Sequence, residues 1–352
     1  MSMHNSSSDT TLVYLITGFL GSGKTTFLNK VIQQFPKTRK LTILMNEFGE
    51  VGIDGTLVEG EDLNMMEISR GSIFCVCVKT DFIKGLHELS TKVRPDVLII
   101  ESTGVANPTD LKRDLQLPIF KNRFQFKHQF CVIDAAHFLD VYDVYASLEK
   151  QIASSDVFII NKVDLVSKEI IEQIKEVVSR YHSKPQFFET SYADIPLDLF
   201  FPFKDWEKSL PVSGNMQTAL HEILSPEEVE SFIDNLLDSP DLELTPPDPL
   251  VSATLKWKGT DISSVKNLAD SLPSSILRAK GFIEDGKRLL LFNYVMGNWT
   301  LEPSPVPSER VKSPNFIVII GPPEVVEEVQ NKVSRKDWEA GGLVAPYRDA
   351  MK

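Results

Sequence analysis

The residues best suited to chemistry in this chain form the run Gly18-Phe19-Leu20-Gly21-Ser22-Gly23-Lys24-Thr25. Its spacing is G-x-x-x-x-G-K-[ST]. In such a loop the glycines let successive backbone amides turn toward phosphate oxygens, and the start of the following helix adds partial positive charge. A lysine at position 24 reaches the β- and γ-phosphates, and the Thr25 hydroxyl suits Mg²⁺. Gly18, Gly21, Ser22, Gly23, Lys24, Thr25 and Thr26 are the expected phosphate contacts.

A phosphate loop does not name the base. Asn161, Lys162 and Asp164 form N-K-x-D at the end of an apolar run, well downstream. A carboxylate there accepts both the ring N–H and the exocyclic amine of guanine. Adenine offers no such donor pair, so the site would discriminate by leaving a carboxylate unpaired. The same feature disfavours a small-molecule kinase built on this loop. Ser191, in "ETSY" after the next strand, is a further candidate contact to the base.

Carboxylates supply the metal side. "DVLIIESTG" reads as a strand ending in a polar turn, from which Glu101 or Asp96 would act on Mg²⁺ through water and Gly104 would sense the γ-phosphate. "MNEFGEVGID" carries Glu47, Glu50 and Asp54 where a switch loop belongs, and such loops order around γ-phosphate and Mg²⁺. Lys24 and Thr25, with Glu47 or Glu101 assisting, form the expected catalytic set. No water-positioning glutamine or arginine finger can be assigned, so slow turnover is expected.

Two of the three cysteines, Cys75 and Cys77, stand two apart in "GSIFCVCVKTDF". If this run is extended, both thiols share one face. Three readings stay open: a thiolate pair on a soft or borderline ion, two small core residues, or a redox pair. Two thiolates are half of zinc's usual four ligands, and a disulfide between them would close a strained ring. Cys131 reads as core. The six histidines are scattered, and His87 and His137 read as structural.

Positioning these groups requires strands and helices in alternation. Residues 12–35 read strand, glycine loop, helix, and strands recur through "KLTILMN", "NMMEISRGSIFCVCV", "PDVLIIE", "FQFKHQFCVID", "VFIIN" and "PQFFET". The amphipathic "TDFIKGLHELSTKV" and "SKEIIEQIKEVVSRYH" intervene as helices. The pattern predicts a mostly parallel α/β sheet covered on both faces. It breaks near residue 200. Four segments are expected: a disordered lead over 1–11, a P-loop domain over 12–203, a Pro/Asp-rich linker with a short helix over 204–248, and a small α+β domain over 249–352. A formal net charge of −12 argues against nucleic-acid or anionic-membrane partners. Few cysteines and no long apolar run point to a soluble, cytoplasmic protein.

Taken in order, "GFLGSGKTT", "NEFGEVGID", "ESTGVANP", "VIDAAHF", "QIASSDVFIINKVDL" and "ILRAKGF" resemble the signature segments of the CobW-like metallochaperone GTPases. That group stands with the P-loop GTPases related to the urease and hydrogenase nickel-insertion factors. The resemblance is dense over residues 12–200 and thinner beyond. It implies a GTPase domain, a ferredoxin-like C-terminal domain, and GTP-coupled delivery of Zn²⁺ or another transition metal. The implied client is a metalloprotein or cofactor-dependent enzyme, met through the C-terminal domain; a nucleotide-dependent oligomer is compatible with it. The family also keeps a C-x-C-C motif after a glycine. Here the register from Gly71 gives Ser72-Ile73-Phe74-Cys75, with Cys77 two residues on; the alternative register sets Cys75 and Cys77 on the first pair and leaves Val78 in place of the third cysteine. The resemblance favours Glu47 and Glu50 as additional ligands beside Cys75 and Cys77. A nucleotide-gated interaction module without a metal of its own is the competing expectation.

Overall fold

The computed structural model describes residues 10–46, 64–68, 76–102, 108–120, 122–142, 145–203, 226–237, 250–286, 288–311, 314–333 and 336–344. Seven strands form the first sheet: β1 (Thr11–Thr17), β2 (Leu41–Asn46), β3 (Asn64–Ile68), β4 (Val97–Glu101), β5 (Phe124–Asp134), β6 (Val157–Asn161) and β7 (Gln186–Thr190). Their order is β3-β2-β4-β1-β5-β6-β7, and every neighbouring pair is parallel.

Parallel strands covered on both faces must be apolar throughout. Accordingly, every residue of β4 and β6 is buried. Along β1 the side chains alternate between two cores. Tyr14 and Ile16 pack with Phe27, Leu28 and Val31 of α1 (Lys24–Gln34). Val13 and Leu15 pack with Phe82, Ile83 and Leu86 of α2 (Val76–Glu88). Further helices are α3 (Thr109–Leu115), α4 (Phe138–Tyr142), α5 (Ala146–Ser154) and α6 (Lys168–Ser179).

The chain leaves β1 for β2 and β3 on one side, returns to β4, then crosses to β5 on the other. Strand order therefore reverses about β1, which opens a crevice at the carboxyl ends of β1, β4 and β5. The phosphate-loop segment follows β1, so the topology itself places it in that crevice.

Two sequence expectations change here. The thiol run was read as short strands, but from Val76 the backbone is helical, so Cys77 lies in the first turn of α2. Period-two alternation does not apply there, and Cys75 lies outside the described residues. The helix within 204–248 is α7 (Pro226–Leu237), and it docks rather than spans. Val229 and Ile233, one helical turn apart, are buried in the α2 core, and Glu230 pairs with Lys84 at 2.9 Å.

The second sheet is antiparallel, in the order β11-β10-β9-β12-β8-β13. Its elements are β8 (Val251–Trp257), α8 (Ser263–Ser271), β9 (Arg278–Asp285), β10 (Arg288–Val295), β11 (Asn298–Pro303), β12 (Phe316–Gly321), α9 (Pro323–Lys332) and β13 (Trp338–Val344). Strands β8, β9, β12 and β13 with the two helices make the βαββαβ ferredoxin-like arrangement, and β10–β11 extends one edge. One face of β9 sends Ala279 and Ile283 to a core shared with Val265 of α8 and Val326 of α9. The opposite face sends Phe282 to a core that also contains Phe19, Leu20 and Phe138. The second sheet is thus packed directly beside the phosphate loop. Among the described residues no helix is long and apolar enough to cross a membrane.

Candidate nucleotide-binding site

The loop after β1 is held by its glycines. Gly18, Gly21 and Gly23 have φ of 138°, 76° and 108°, a region that side chains disfavour. At Gly18 space is short as well, because a Cβ there would lie 2.2 Å from the Val132 carbonyl oxygen in β5. Gly18→Ala must displace strand backbone, so we expect nucleotide binding to be lost and Tm to fall by roughly 5–10 °C. A thermal unfolding scan beside a nucleotide titration checks this; an unchanged Tm would contradict it.

Helix α1 begins at Lys24 with Gly23 as its cap, a residue with no side chain to bond the first amides. Its first amides therefore face the crevice. Lys24 is buried, and its Nζ donates to the Gly18 and Phe19 carbonyls at 3.0 and 3.1 Å. The ammonium thus lies folded over the loop that would cradle the phosphates. Thr25 Oγ1 donates to Glu101 Oε1 at 3.1 Å, which brings together two hard oxygen donors from α1 and the end of β4. Asp96 sits at the opposite end of β4, where it accepts from the Lys40 backbone amide at 2.7 Å and pairs with Arg39. The two carboxylates were equivalent candidates in sequence; strand direction removes Asp96.

Asn161 closes the crevice from β6. Its Nδ2 donates to the Ser22 carbonyl at 2.8 Å, and its Oδ1 accepts from the Ala193 amide at 2.9 Å. It therefore braces the phosphate loop against the segment after β7. Lys162, with φ of 62°, donates Nζ to Asp134 Oδ2 at 2.6 Å. His137 Nδ1 lies 3.2 Å from the same oxygen, and its Nε2 lies 3.1 Å from Asn298 Nδ2. The tautomer with its proton on Nδ1 satisfies both contacts.

Burial pushes the Asp134 carboxyl up, but the His137 hydrogen bond and the Lys162 ammonium outweigh it and hold the group below its ordinary 3.8. Its contribution to stability is then fully present above the ordinary value and lost as pH falls through the lowered one. The Tm gap between wild type and Asp134→Asn should be widest near pH 7 and shrink below about pH 4. A gap that stays constant down to pH 3 would contradict this network.

Asp164 is exposed and accepts the Ser191 hydroxyl. On either side stand Leu165 and Tyr192, 64% and 77% exposed, and both line the cleft with Asp164. Exposed apolar side chains beside a lone carboxylate suit a flat, hydrogen-bonding base. Leu165 and Tyr192 were not identifiable from sequence, although both sit within the quoted motifs. Lys24, Thr25, Thr26, Glu101, Asn161, Lys162 and Asp164 line one cleft of about 820 Å³, within the range of small-molecule sites. Arg278, Lys280, Asn293 and Asn298 of the second sheet line it too. Sequence reasoning missed these, because nothing local signals which face of a distant sheet will meet the loop.

Glu47, Glu50, Gly104 and Cys75 lie outside the described residues. Cys131 is buried, and its thiol is pushed up to about 12 by that burial, consistent with a core role.

The family described as CobW/HypB/UreG, nucleotide-binding domain, matches residues 12–189. The cobalamin synthesis protein cobW C-terminal domain matches residues 259–335. Among curated proteins, the zinc chaperone YeiR of Escherichia coli is 36% identical over 158 residues, which cover 44% of this chain and 47% of that protein. The zinc chaperone CobW of a Sinorhizobium species is 29% identical over 212 residues, covering 51% and 59% respectively. The zinc-regulated GTPase metalloprotein activator 1 of Schizosaccharomyces pombe is 31% identical over 198 residues, covering 54% and 48%. The chain thus spans about half the length of the curated relatives it matches.

Proposed function

This chain belongs to the CobW/HypB/UreG family, and on that premise we propose that it is a Mg²⁺-dependent GTPase with slow turnover. Its nucleotide state governs delivery of a transition metal, zinc foremost, to a client protein. The observation that carries the nucleotide part is that Lys24 and the Asp164, Leu165 and Tyr192 side chains line one cleft.

In the reaction a water oxygen bonds to the γ-phosphorus while the bond to the bridging oxygen breaks. The electron pair leaves with the β-phosphate, and the water's protons pass to phosphate and solvent. Lys24 and the first amides of α1 stabilise charge on the oxygens between and around the two phosphates. The Thr25 hydroxyl and Glu101 carboxylate fit Mg²⁺ by donor type and would hold the ion, which would supply neutralisation of phosphate charge. Asn161 holds the loop in shape, Asp164 reads the guanine edge, and Gly104 and Glu47 are the proposed γ-phosphate and switch contacts.

Zinc is treated as cargo. The names of the relatives support this, with Cys75, Cys77, Glu47 and Glu50 as proposed ligands. The incomplete C-x-C-C set favours, as a second reading, a nucleotide-gated module that activates its client without a metal of its own. In both readings the client is a metalloprotein or cofactor-dependent enzyme met through the C-terminal domain. Steady-state phosphate release with GTP and with ATP tests the nucleotide assignment. Turnover of GTP at least tenfold above ATP supports it; equal turnover of both would sink it.

A further inference from the structure

The cleft has a wall that the P-loop domain does not supply. On β9, Arg278 and Lys280 point away from the helices that cover the second sheet, on the same face as Phe282. Both line the cleft that contains Lys24, Thr25 and Glu101. Lys280 is only 8% exposed, so its side chain is largely withdrawn from water.

The neighbouring hairpin fixes this strand in place. Val295, at the end of β10, abuts the loop so closely that a Cβ on Gly21 would lie 2.7 Å from its Cγ2. Across the turn, Asn298 Nδ2 meets His137 Nε2 at 3.1 Å. Those contacts clamp the hairpin to the phosphate loop on one side and to the segment after β5 on the other. Within the sheet, Arg278 pairs with Val295 and Lys280 with Asn293, so both cations ride on the clamped strand pair.

We propose that Arg278 and Lys280 contact the terminal phosphate of the nucleotide, so that the C-terminal domain completes the hydrolytic site in cis. This rests on the GTPase reading above. An arginine donates in a fixed fork that matches phosphoryl oxygens, and stabilises the charge that builds as the bond to the leaving oxygen lengthens. Loss of the γ-phosphate on hydrolysis removes the anion that both cations face, so the two domains are held together more tightly in the triphosphate state than in the diphosphate state.

The test uses the full chain, with single-turnover GTP hydrolysis and separate affinities for a non-hydrolysable GTP analogue and for GDP. Arg278→Ala should slow hydrolysis by about 10²-fold or more, and Arg278→Lys should recover only part of the rate. Arg278→Ala with Lys280→Ala should weaken the analogue by about tenfold or more relative to GDP. That affinity ratio is insensitive to a general loss of folding, and Arg278→Gln carries the same readout if the alanine variant is unstable. Wild-type hydrolysis together with an unchanged analogue-to-GDP ratio in the double variant would overturn the proposal while leaving the GTPase reading intact. Absence of GTP hydrolysis by the wild type itself would overturn both.

Discussion

Lys24→Ala lowers the rate of GTP hydrolysis by about 10²–10³-fold and leaves the fold in place. The lysine is the first residue of α1 and donates to the Gly18 and Phe19 carbonyls of its own loop. In the free protein that arrangement parks a cation over an oxygen-lined loop. With nucleotide present, the phosphate oxygens offer the ammonium stronger, charge-assisted partners. The gain grows as charge accumulates on the oxygen bridging the β- and γ-phosphates, so removal is felt in kcat more than in GDP affinity. Alanine is a strong helix former, so the helix start tolerates the change. The check is single-turnover hydrolysis alongside a thermal scan. A variant that hydrolyses GTP at the wild-type rate would remove the phosphate loop from the mechanism.

Asp164→Asn weakens GTP by about 10²-fold or more and turns the site toward xanthosine triphosphate. The carboxylate can accept two N–H groups from one edge of guanine; an amide accepts once and donates once. Facing guanine, the new NH₂ would meet the exocyclic amine, donor against donor. Xanthine replaces that amine with a carbonyl, which the asparagine can satisfy. Leu165 and Tyr192 remain exposed beside the base and are indifferent to this exchange, so binding to a purine ring as such persists. Competition titration with the two triphosphates reads the preference. Retention of full GTP affinity would show that Asp164 does not read the base.

Much of this site was legible in the sequence because its determinants are local. Three glycines at fixed spacing, followed by lysine and threonine, specify a loop whether or not anything else is known. Buried runs such as "VLIIE" and "VFIIN" announce parallel strands, and polar residues at their ends mark the crevice. Direction along the strand was the harder inference. Asp96 and Glu101 bracket the same β4, and only the parallel register shows which carboxylate meets Thr25. The thiol run misled because its β-branched and aromatic composition reads as extended, whereas Cys77 belongs to the helix that buries Phe82 and Ile83. Strand β13 carries a weak sequence signal because Gly341 and Gly342 interrupt its apolar pattern, although it pairs with β8.

Long-range juxtapositions were invisible for a different reason. Alternation along β9 tells which side chains share a face, but the second surface that meets this face is set by tertiary packing. Hence Arg278 and Lys280 entered only as part of a quoted motif, and the bridge from Asp134 through His137 to Asn298 was not anticipated. His137 engages both ring nitrogens, with Asp134 and with Asn298.

Coupling between nucleotide and metal is the centre of this account. The most direct measurement is zinc affinity by competition with a chromophoric chelator, on full-length protein loaded with a non-hydrolysable GTP analogue and again with GDP. We predict affinities that differ by about tenfold or more between the two states, with tight binding lost in the Cys75→Ser, Cys77→Ser double variant. Equal affinity in both nucleotide states, or zinc binding that survives the loss of both thiols, would contradict it.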